Sequence, residues 1–316
     1  MRYSRLTLTT ILLVISCIVA RAQTPAAAKK YFQQGVKDFA EGNLGVAFEN
    51  YSRAIEISSR LDSRKPAMSE LLRANNLTSS NEAEGITVID PFTAVAYANR
   101  GLVRHRQHDF DGAIADFNAA IRISPGLAEA YLGRGVSYRA KGDREKALAD
   151  FNRAIAIKNH LPEAYVDRAE LRLDNGEVEA ALSDLNRALK LNPRLAESHY
   201  LLGHIRLVKK EYEAALASFD QAIQLKPSMA SAYHGRGTTR MTLSQFDAAI
   251  EDFDRALELN SELPNTYMNR GLALLLKHED ARAQKDFEEC LTINPALKAE
   301  LEKRIELAKE LRGTKP

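Results

Sequence analysis

A repeat of 34 residues constrains this chain of 316 residues more than any other feature of its sequence. At that period a large ring is followed four positions later by a small residue, six times in succession without an insertion or deletion. The ring positions are Tyr97, Tyr131, Tyr165, His199, Tyr233 and Tyr267, and the small positions are Gly101, Gly135, Ala169, Gly203, Gly237 and Gly271. A period of this length indicates an array of similar structural elements, since a single globular core stops growing at about 250 to 300 residues.

The spacing inside each period predicts two antiparallel helices. Apolar residues recur three and four positions apart in two stretches of about 14 residues, which is the pattern of an amphipathic helix. A polar turn separates the two stretches, as in Lys141-Gly142-Asp143. Towards its end the period has an alanine, a large apolar residue, a second small residue and usually a proline, which cannot continue a helix. One helix pair cannot bury its own apolar face, so neighbouring pairs must stack.

This pattern resembles the tetratricopeptide repeat family, in which an aromatic residue, glycine, alanine, a second aromatic residue, alanine and proline recur within 34 residues. Tyrosine or histidine stands here where the family usually has tryptophan, and Asn159 and Ser261 replace two of the closing prolines. The resemblance implies an all-α fold, a right-handed superhelical solenoid of helix-turn-helix repeats. It also implies that the first helices of successive repeats line a concave groove that holds protein or peptide segments.

The register divides the chain into seven repeats, a leader, an insertion and a terminal helix. Tyr31, Gly35 and Ala47 fit the same register and extend the array towards the N-terminus. The predicted repeats 1 to 7 are residues 28–61, 94–127, 128–161, 162–195, 196–229, 230–263 and 264–297. Residues 62–93 are predicted to be an insertion or loop with a possible short helix from Ala67 to Leu72. Residues 298–312 are predicted to form a helix that caps the last apolar face.

Residues 1–22 are predicted to be a secretory signal peptide. Basic residues at Arg2 and Arg5 precede an apolar run from Leu6 to Ala20, and a small-x-small site ends at Ala22. The run is short for a membrane-spanning helix, which needs about 20 residues. This leader is typical of an exported bacterial protein found in the periplasm, in the cell envelope or outside the cell, and no spanning segment is expected in the mature chain.

Cys17 offers an alternative interpretation of the leader. The residues before it resemble the lipobox of bacterial lipoproteins, in which the cysteine becomes lipidated, although the residues after it are apolar where a polar tether is usual. A lipid anchor at Cys17 is therefore the less favoured alternative.

The net charge argues against a nucleic-acid partner. The chain has 44 Lys and Arg against 42 Asp and Glu, and removal of the leader takes away three Arg, which leaves 41 against 42. Nucleic-acid-binding domains usually show a strong basic excess. We therefore expect a protein or peptide partner.

An arginine and an aspartate recur sixteen residues apart within the repeats and are predicted to form structural ion pairs. The repeat that lacks the arginine also lacks the aspartate and has Leu202 and Ser218 instead, and repeat 1 has the neutral amides Gln34 and Asn50. Pairing within each repeat leaves no partner alone, so we read this arginine stripe as structural and not as a phosphate site. The predicted pairs are Arg100–Asp116, Arg134–Asp150, Arg168–Asp184, Arg236–Asp252 and Arg270–Asp286.

The groove positions predict a graded binding surface. Its middle is expected to be acidic, its N-terminal part basic and its C-terminal part apolar, which suits an elongated partner with a basic segment. The alternative is that these charges form only a solvated face. The predicted lining residues are Glu129, Glu163, Asp167, Glu170, Asp174, Glu197, Tyr200, His204 and His234, with the basic residues His105, Arg106 and Arg139 and the apolar residues Met268, Leu272, Leu275 and Leu276.

The sequence has no catalytic constellation, and no cofactor is predicted. His204 and His234 are expected to approach each other near Glu170, and groove lining is the favoured interpretation over a metal site. Cys290 occupies a small-residue position, which favours a buried inert thiol. The predicted function is a non-enzymatic, exported scaffold for protein–protein interaction. The alternatives are an accessory subunit of an envelope assembly or secretion complex, with or without a lipid anchor, and a sugar-binding or enzymatic module.

Overall fold

The computed structural model describes residues 24–62 and 91–313. Over these ranges the chain forms fifteen α-helices and one short 3-10 helix and no strand, which confirms the all-α prediction. The predicted signal peptide, Cys17 and the possible helix from Ala67 to Leu72 lie outside the described residues. None of the described helices combines the length and the apolar character that a membrane span requires.

The chain divides into two compact units, and the first comprises Met1–Asn175. Its described helices alternate as first and second helices of four successive repeats, and each packs against the next along the chain. They are α1 (Ala26–Ala40), α2 (Leu44–Asp62), α3 (Pro91–Arg106), α4 (Phe110–Ile123), α5 (Ala128–Ala140), α6 (Arg144–Ile157) and α7 (Pro162–Asp174).

The second unit comprises Gly176–Pro316. It begins with the second helix of repeat 4, continues through three complete repeats and ends in a helix that belongs to none of them. Its helices are α8 (Val178–Leu191), α9 (Ala196–Val208), α10 (Tyr212–Leu225), α11 (Ala230–Thr242), α12 (Phe246–Leu259), α13 (Pro264–Leu276), α14 (Asp280–Ile293) and α15 (Lys298–Gly313), with the 3-10 turn Pro295–Leu297 before α15.

The insertion is shorter than its predicted bounds. Helix α2 runs to Asp62 and α3 begins at Pro91, so residue 62 and residues 91–93 are helical, although they were assigned to the insertion. Proline suits the first turn of a helix because its missing N–H would have no partner there. Across this junction the buried hydroxyls of Ser58 and Thr93 lie 2.6 Å apart, so repeat 1 packs directly on repeat 2.

Aromatic rings fill the space between successive repeats, and small residues make room for them. Phe117 is fully buried between Gly101 of its own repeat and Gly133 of the next. A Cβ atom added at Gly133 would lie 2.4 Å from the ring of Phe117, which is closer than atoms approach without displacement. In the second unit Phe219 lies in the same way against Gly235. The small positions of the repeat are therefore set by ring packing.

The turn inside each repeat uses a left-handed residue at the same position every time. Three of these residues are glycines and four are not. The seven are Gly42, His108, Gly142, Gly176, Lys210, Ser244 and His278, with φ between 59° and 84°. A left-handed conformation costs a residue with a side chain about 1 to 2 kcal/mol, whereas glycine adopts it freely.

Exchanging the residue types at these turns is expected to change stability in opposite directions. Ser244→Gly removes the left-handed strain and should stabilise the folded chain by about 0.5 to 1 kcal/mol. Gly142→Ser introduces the same strain at a position with open space around it, and should destabilise by a similar amount. The thermal unfolding midpoints of both variants test this, and a lower midpoint for Ser244→Gly would contradict it.

Candidate functional site

The structure forms four of the five predicted arginine–aspartate pairs. Each aspartate side chain is at most 7% exposed, and each arginine is about one-fifth exposed. The N–O distances are 2.7 Å for Arg100–Asp116, 2.7 Å for Arg134–Asp150, 2.6 Å for Arg236–Asp252 and 2.6 Å for Arg270–Asp286. The fifth pair, Arg168 with Asp184, would join the two units and stays a prediction.

Each of these arginines also reaches back to the preceding repeat, which the sequence interpretation missed. Arg134 donates through Nη1 to Asn118 Oδ1 at 2.6 Å, while its Nε and Nη2 hold Asp150. The other such bonds are Arg100 to Ser52 at 3.2 Å, Arg168 to Asn152 at 2.7 Å, Arg236 to Asp220 at 2.6 Å and Arg270 to Asp254 at 2.6 Å. The arginine side chains of this stripe therefore bond to acceptors in two successive repeats and link them.

The two repeats without an arginine at this position satisfy their polar groups differently. In repeat 5, Arg206 lies one turn further along α9 and donates to Ser218 Oγ at 2.5 Å. In repeat 1, Gln34 and Asn50 both donate to the carboxylate of Asp38, at 3.0 and 2.7 Å. In the other repeats the aspartate lies on the second helix, whereas Asp38 takes its place from the first helix.

Glutamates stand at the second residue of repeats 3, 4 and 5, at the starts of the first helices, and those of repeats 3 and 4 are buried. Glu129 is 3% exposed and accepts a hydrogen bond from Lys158 Nζ at 2.8 Å. Glu197 accepts from Lys226 in the same way at 3.1 Å. Glu163 is 5% exposed, and burial raises the pKa of its carboxyl, with Glu129 adding to the rise and Lys158 opposing it.

Deeper on the same face of the first unit, one arginine forms ion pairs with two carboxylates. Arg139 is 8% exposed and lies 3.1 Å from Asp167 and 2.6 Å from Glu170. Burial raises the pKa of Asp167 to about 7, although the neighbouring Arg139 lowers it and Glu170 and Glu163 raise it further. Oδ2 of Asp167 is buried without a hydrogen-bond partner.

These contacts show that the predicted acidic part of the groove is largely buried in the first unit. Glu129, Glu163 and Asp167 are buried, and of the predicted acidic residues in the first unit only Asp174 is exposed. Buried charges need partners, and Lys158 and Arg139 supply them from neighbouring helices. An excess nevertheless remains, because four carboxylates in the first unit share these two cations.

Two of the three residues in the expected basic N-terminal part of the groove, His105 and Arg139, are buried. His105 is 5% exposed, and its Nδ1 lies 3.0 Å from Ser137 Oγ, whose proton goes to the carbonyl oxygen of Gly133. The histidine therefore donates from Nδ1. Burial, together with Arg139 and other nearby cations, lowers the pKa of His105 to about 4, so it is neutral near pH 7. Arg106 lies 4.1 Å above the ring of Phe39.

The groove positions of the second unit are less polar. Tyr200 is half-buried with its ring 6.2 Å from that of Phe219, and His204 is exposed. Nδ1 of His234 lies 2.8 Å from Thr266 Oγ1. Burial and the nearby His204 lower the pKa of His234 to about 4.

Neither metal-ligating nor thiol chemistry stands out in the described part of the chain. There the structure brings together no group of three or more metal-ligating side chains. Cys290 is buried at its small-residue position, and burial raises the pKa of its thiol. A thiol with a raised pKa forms little thiolate, which is the reactive form.

The apolar part of the predicted groove is covered rather than open. Met268, Leu272 and Leu275 are each at most 6% exposed, and they share one core with Leu301 and Ala308 of α15. Only Leu276 of the predicted apolar residues is half-buried. The terminal helix thus covers the face that was assigned to a partner, because an uncovered row of apolar side chains would face water.

The half-buried histidine of α11, His234, predicts a pH-dependent stability. The pKa of His234 falls from 6.5 to about 4 on folding, so the unfolded chain binds a proton first as the pH falls. The contribution of His234 to the free energy of unfolding is complete above pH 6.5 and is lost as the pH falls from 6.5 to about 4. Over that range the folding equilibrium constant decreases by at most about tenfold per pH unit.

Urea unfolding of the wild type and of His234→Gln is the measurement, made above pH 6.5 and midway between 6.5 and 4. Groups common to both proteins cancel in the difference. We expect the wild type to lose stability relative to the variant as the pH falls. A difference that stays constant with pH would contradict the assignment.

Comparisons with known proteins agree with this repeat architecture. Family models described as tetratricopeptide repeat match residues 92–160, 166–230, 230–263 and 264–297. A crystal structure of a tetratricopeptide repeat protein from Parabacteroides merdae ATCC 43184 has 18% identity and a TM-score of 0.57, over 90% of this chain and 100% of that chain. A structure of the APC/C hetero-tetramer Cut9–Hcn1 has 16% identity and a TM-score of 0.63, over 96% of this chain and 64% of that chain. No curated protein sequence matches the chain.

Proposed function

Because the chain belongs to the tetratricopeptide repeat family, we propose that it is a non-enzymatic scaffold that binds a protein or peptide on the faces of its first helices. A fold of this kind supports protein–protein interaction, because stacked helix pairs present a long continuous surface. The proposed partner carries a basic segment that lies against the first unit.

One observation carries the choice of a basic segment. On the first-helix faces of the first unit, four carboxylates surround two cations. The carboxylates are Glu129, Glu163, Asp167 and Glu170, and the cations are Lys158 and Arg139. A partly buried negative excess is costly alone and is relieved by a cation from a partner, which favours basic segments over acidic ones.

Capture of partners by the chain from Gln23 onwards tests this proposal. The informative variant is Glu163→Gln with Glu170→Gln, which lowers the negative charge of the face and leaves the buried pair of Arg139 and Asp167 intact. The matched control is Glu49→Gln with Glu145→Gln, which removes two exposed carboxylates from second helices of the same unit.

We expect a partner that the wild type and the control retain and the face variant loses. The captured protein is identified by mass spectrometry and its binding is then measured directly with each variant. Equal binding by all three proteins would overturn the role of the acidic excess, and circular dichroism shows whether each variant is folded.

We further propose that the protein is exported, on the support of its leader sequence. The expected mature product begins at Gln23, which N-terminal sequencing of the secreted or periplasmic chain would show. A lipid-anchored accessory subunit of an envelope assembly or secretion complex is the second candidate, and Cys17 favours it. Labelling with a lipid precursor separates the two, because only the anchored form takes up label.

A further inference from the structure

A cavity of about 350 Å³ lies between repeats 2 and 3 of the first unit. Its walls are largely apolar and include Pro91, Val95, Leu127 and Ile157, and two charged residues, Glu129 and Lys158, also line it. Clefts of this size suit small groups with an apolar body and a few polar contacts. A long aliphatic side chain with a charged end has this character.

The two charged residues that line this cavity balance each other, and a further carboxylate, that of Glu163, lies near them. Glu129 accepts from Lys158 at 2.8 Å, and Glu163 at the start of the next repeat is buried as well. Lys158 and Glu129 both lie close enough to Glu163 to affect its pKa. Glu163 forms no ion pair with any residue that the structure describes, so the ammonium group of Lys158 lies near two buried carboxylates and is bonded to Glu129. The cluster therefore has one more negative than positive charge.

We propose that this cavity is a recognition site for one arginine or lysine side chain of the partner. The incoming cation pairs with Glu129, and Lys158 turns from Glu129 to Glu163. After this exchange each of two carboxylates has one cation, so no buried charge is left without a partner. The inference rests on the proposed scaffold function and names the side chain that the acidic face selects.

The second unit contains a matched site that lacks one component. Glu197 accepts from Lys226 at 3.1 Å, as Glu129 does from Lys158. The second residue of the following repeat is Ser231, which is exposed and uncharged. Ser231 therefore offers Lys226 no carboxylate at the position that Glu163 occupies in the first unit. If the glutamates served only to stabilise helix N-termini, the two sites would behave alike.

The test uses the full mature chain and three small probes. N-acetyl-L-arginine methylamide carries the cation, the citrulline analogue has nearly the same shape without the charge, and the glutamate analogue carries the opposite charge. Saturation-transfer NMR and titrations report their binding. We expect the arginine probe to bind about tenfold more tightly than the citrulline probe. Glu163→Gln should remove this preference, and Glu197→Gln should leave it unchanged.

A second variant keeps the inference testable if Glu163→Gln alters the fold. Lys158→Met leaves both carboxylates without a competing cation and should increase the preference for arginine. Equal binding of the arginine and citrulline probes to the wild type would overturn the proposal. So would tighter binding of the glutamate probe, or equal effects of Glu163→Gln and Glu197→Gln.

Failure of this inference is distinguishable from failure of the scaffold function. A chain that captures its partner through the acidic face but shows no preference for the arginine probe keeps the function and loses the cavity assignment. A chain whose preference for the arginine probe depends on Glu163, but that captures no partner, keeps the cavity assignment and loses the scaffold function.

Discussion

Arg134→Met is expected to destabilise the folded chain by about 3 to 5 kcal/mol, because it leaves a buried carboxylate without its cation. Asp150 is only 7% exposed in its side chain, and its two oxygens accept from Nε and Nη2 of Arg134 at 2.8 and 2.7 Å. Methionine keeps most of the aliphatic stem of the arginine. Urea unfolding followed by circular dichroism measures the loss.

The array contains a matched control for this variant. Asp116 pairs with Arg100 in the same geometry but has a second cation, Arg104, at 3.1 Å. Arg100→Met should therefore cost clearly less than Arg134→Met. Adding Asp150→Leu to Arg134→Met removes the stranded charge and should restore most of the stability. A coupling energy near zero between Arg134 and Asp150 would contradict the pair.

Gly133→Ala is expected to destabilise by about 2 kcal/mol, against the usual preference of helices for alanine. Alanine gains about 1 kcal/mol over glycine inside a helix. At this position, however, the added Cβ would lie 2.4 Å from the ring of Phe117, which is fully buried and cannot move freely. Overpacking of a dense core costs about 1 to 3 kcal/mol and more when the clash is severe, so the clash outweighs the gain.

A helical glycine with open space around it separates the gain in helix propensity from the steric clash. Gly45 lies in α2, and a Cβ there meets nothing within 4 Å, so Gly45→Ala should stabilise by up to about 1 kcal/mol. Adding Phe117→Leu to Gly133→Ala makes room for the methyl group and should recover part of the loss. Equal thermal midpoints for Gly45→Ala and Gly133→Ala would show that the ring imposes no constraint.

The sequence predicted the fold and four of the five arginine pairs, because the repeat supplies the same signal many times. A single arginine sixteen residues from an aspartate says little, whereas Arg and Asp that are lost together, as at Leu202 and Ser218, identify partners. The backward bonds of the arginines were missed because their acceptors vary among Ser, Asn and Asp, so no single residue type recurs at that position.

The charge state of the groove was less predictable. The period tells which residues share the face but not which side chains reach them from other helices. Lys158 comes from the end of a second helix to meet Glu129, 29 residues earlier in the chain, and Arg139 crosses to the carboxylates of the next repeat. Burial of Met268 likewise depends on which side of α13 the terminal helix packs against, a choice that three-dimensional packing makes.

The double reach of the arginines limits how this array can change its length. Arg134 lies sixteen residues from both of its acceptors, Asn118 behind it and Asp150 ahead of it. One residue added to either turn would rotate an acceptor by about 100° around its helix and break one of the two links. An insertion therefore costs the least stability at the junction where the backward hydrogen bond is weakest. The insertion before Pro91 occurs at such a junction, where the backward hydrogen bond of Arg100 to the hydroxyl of Ser52 is the longest of the five, at 3.2 Å. An engineer who wishes to graft a loop or a second domain into the array would do best to choose that junction.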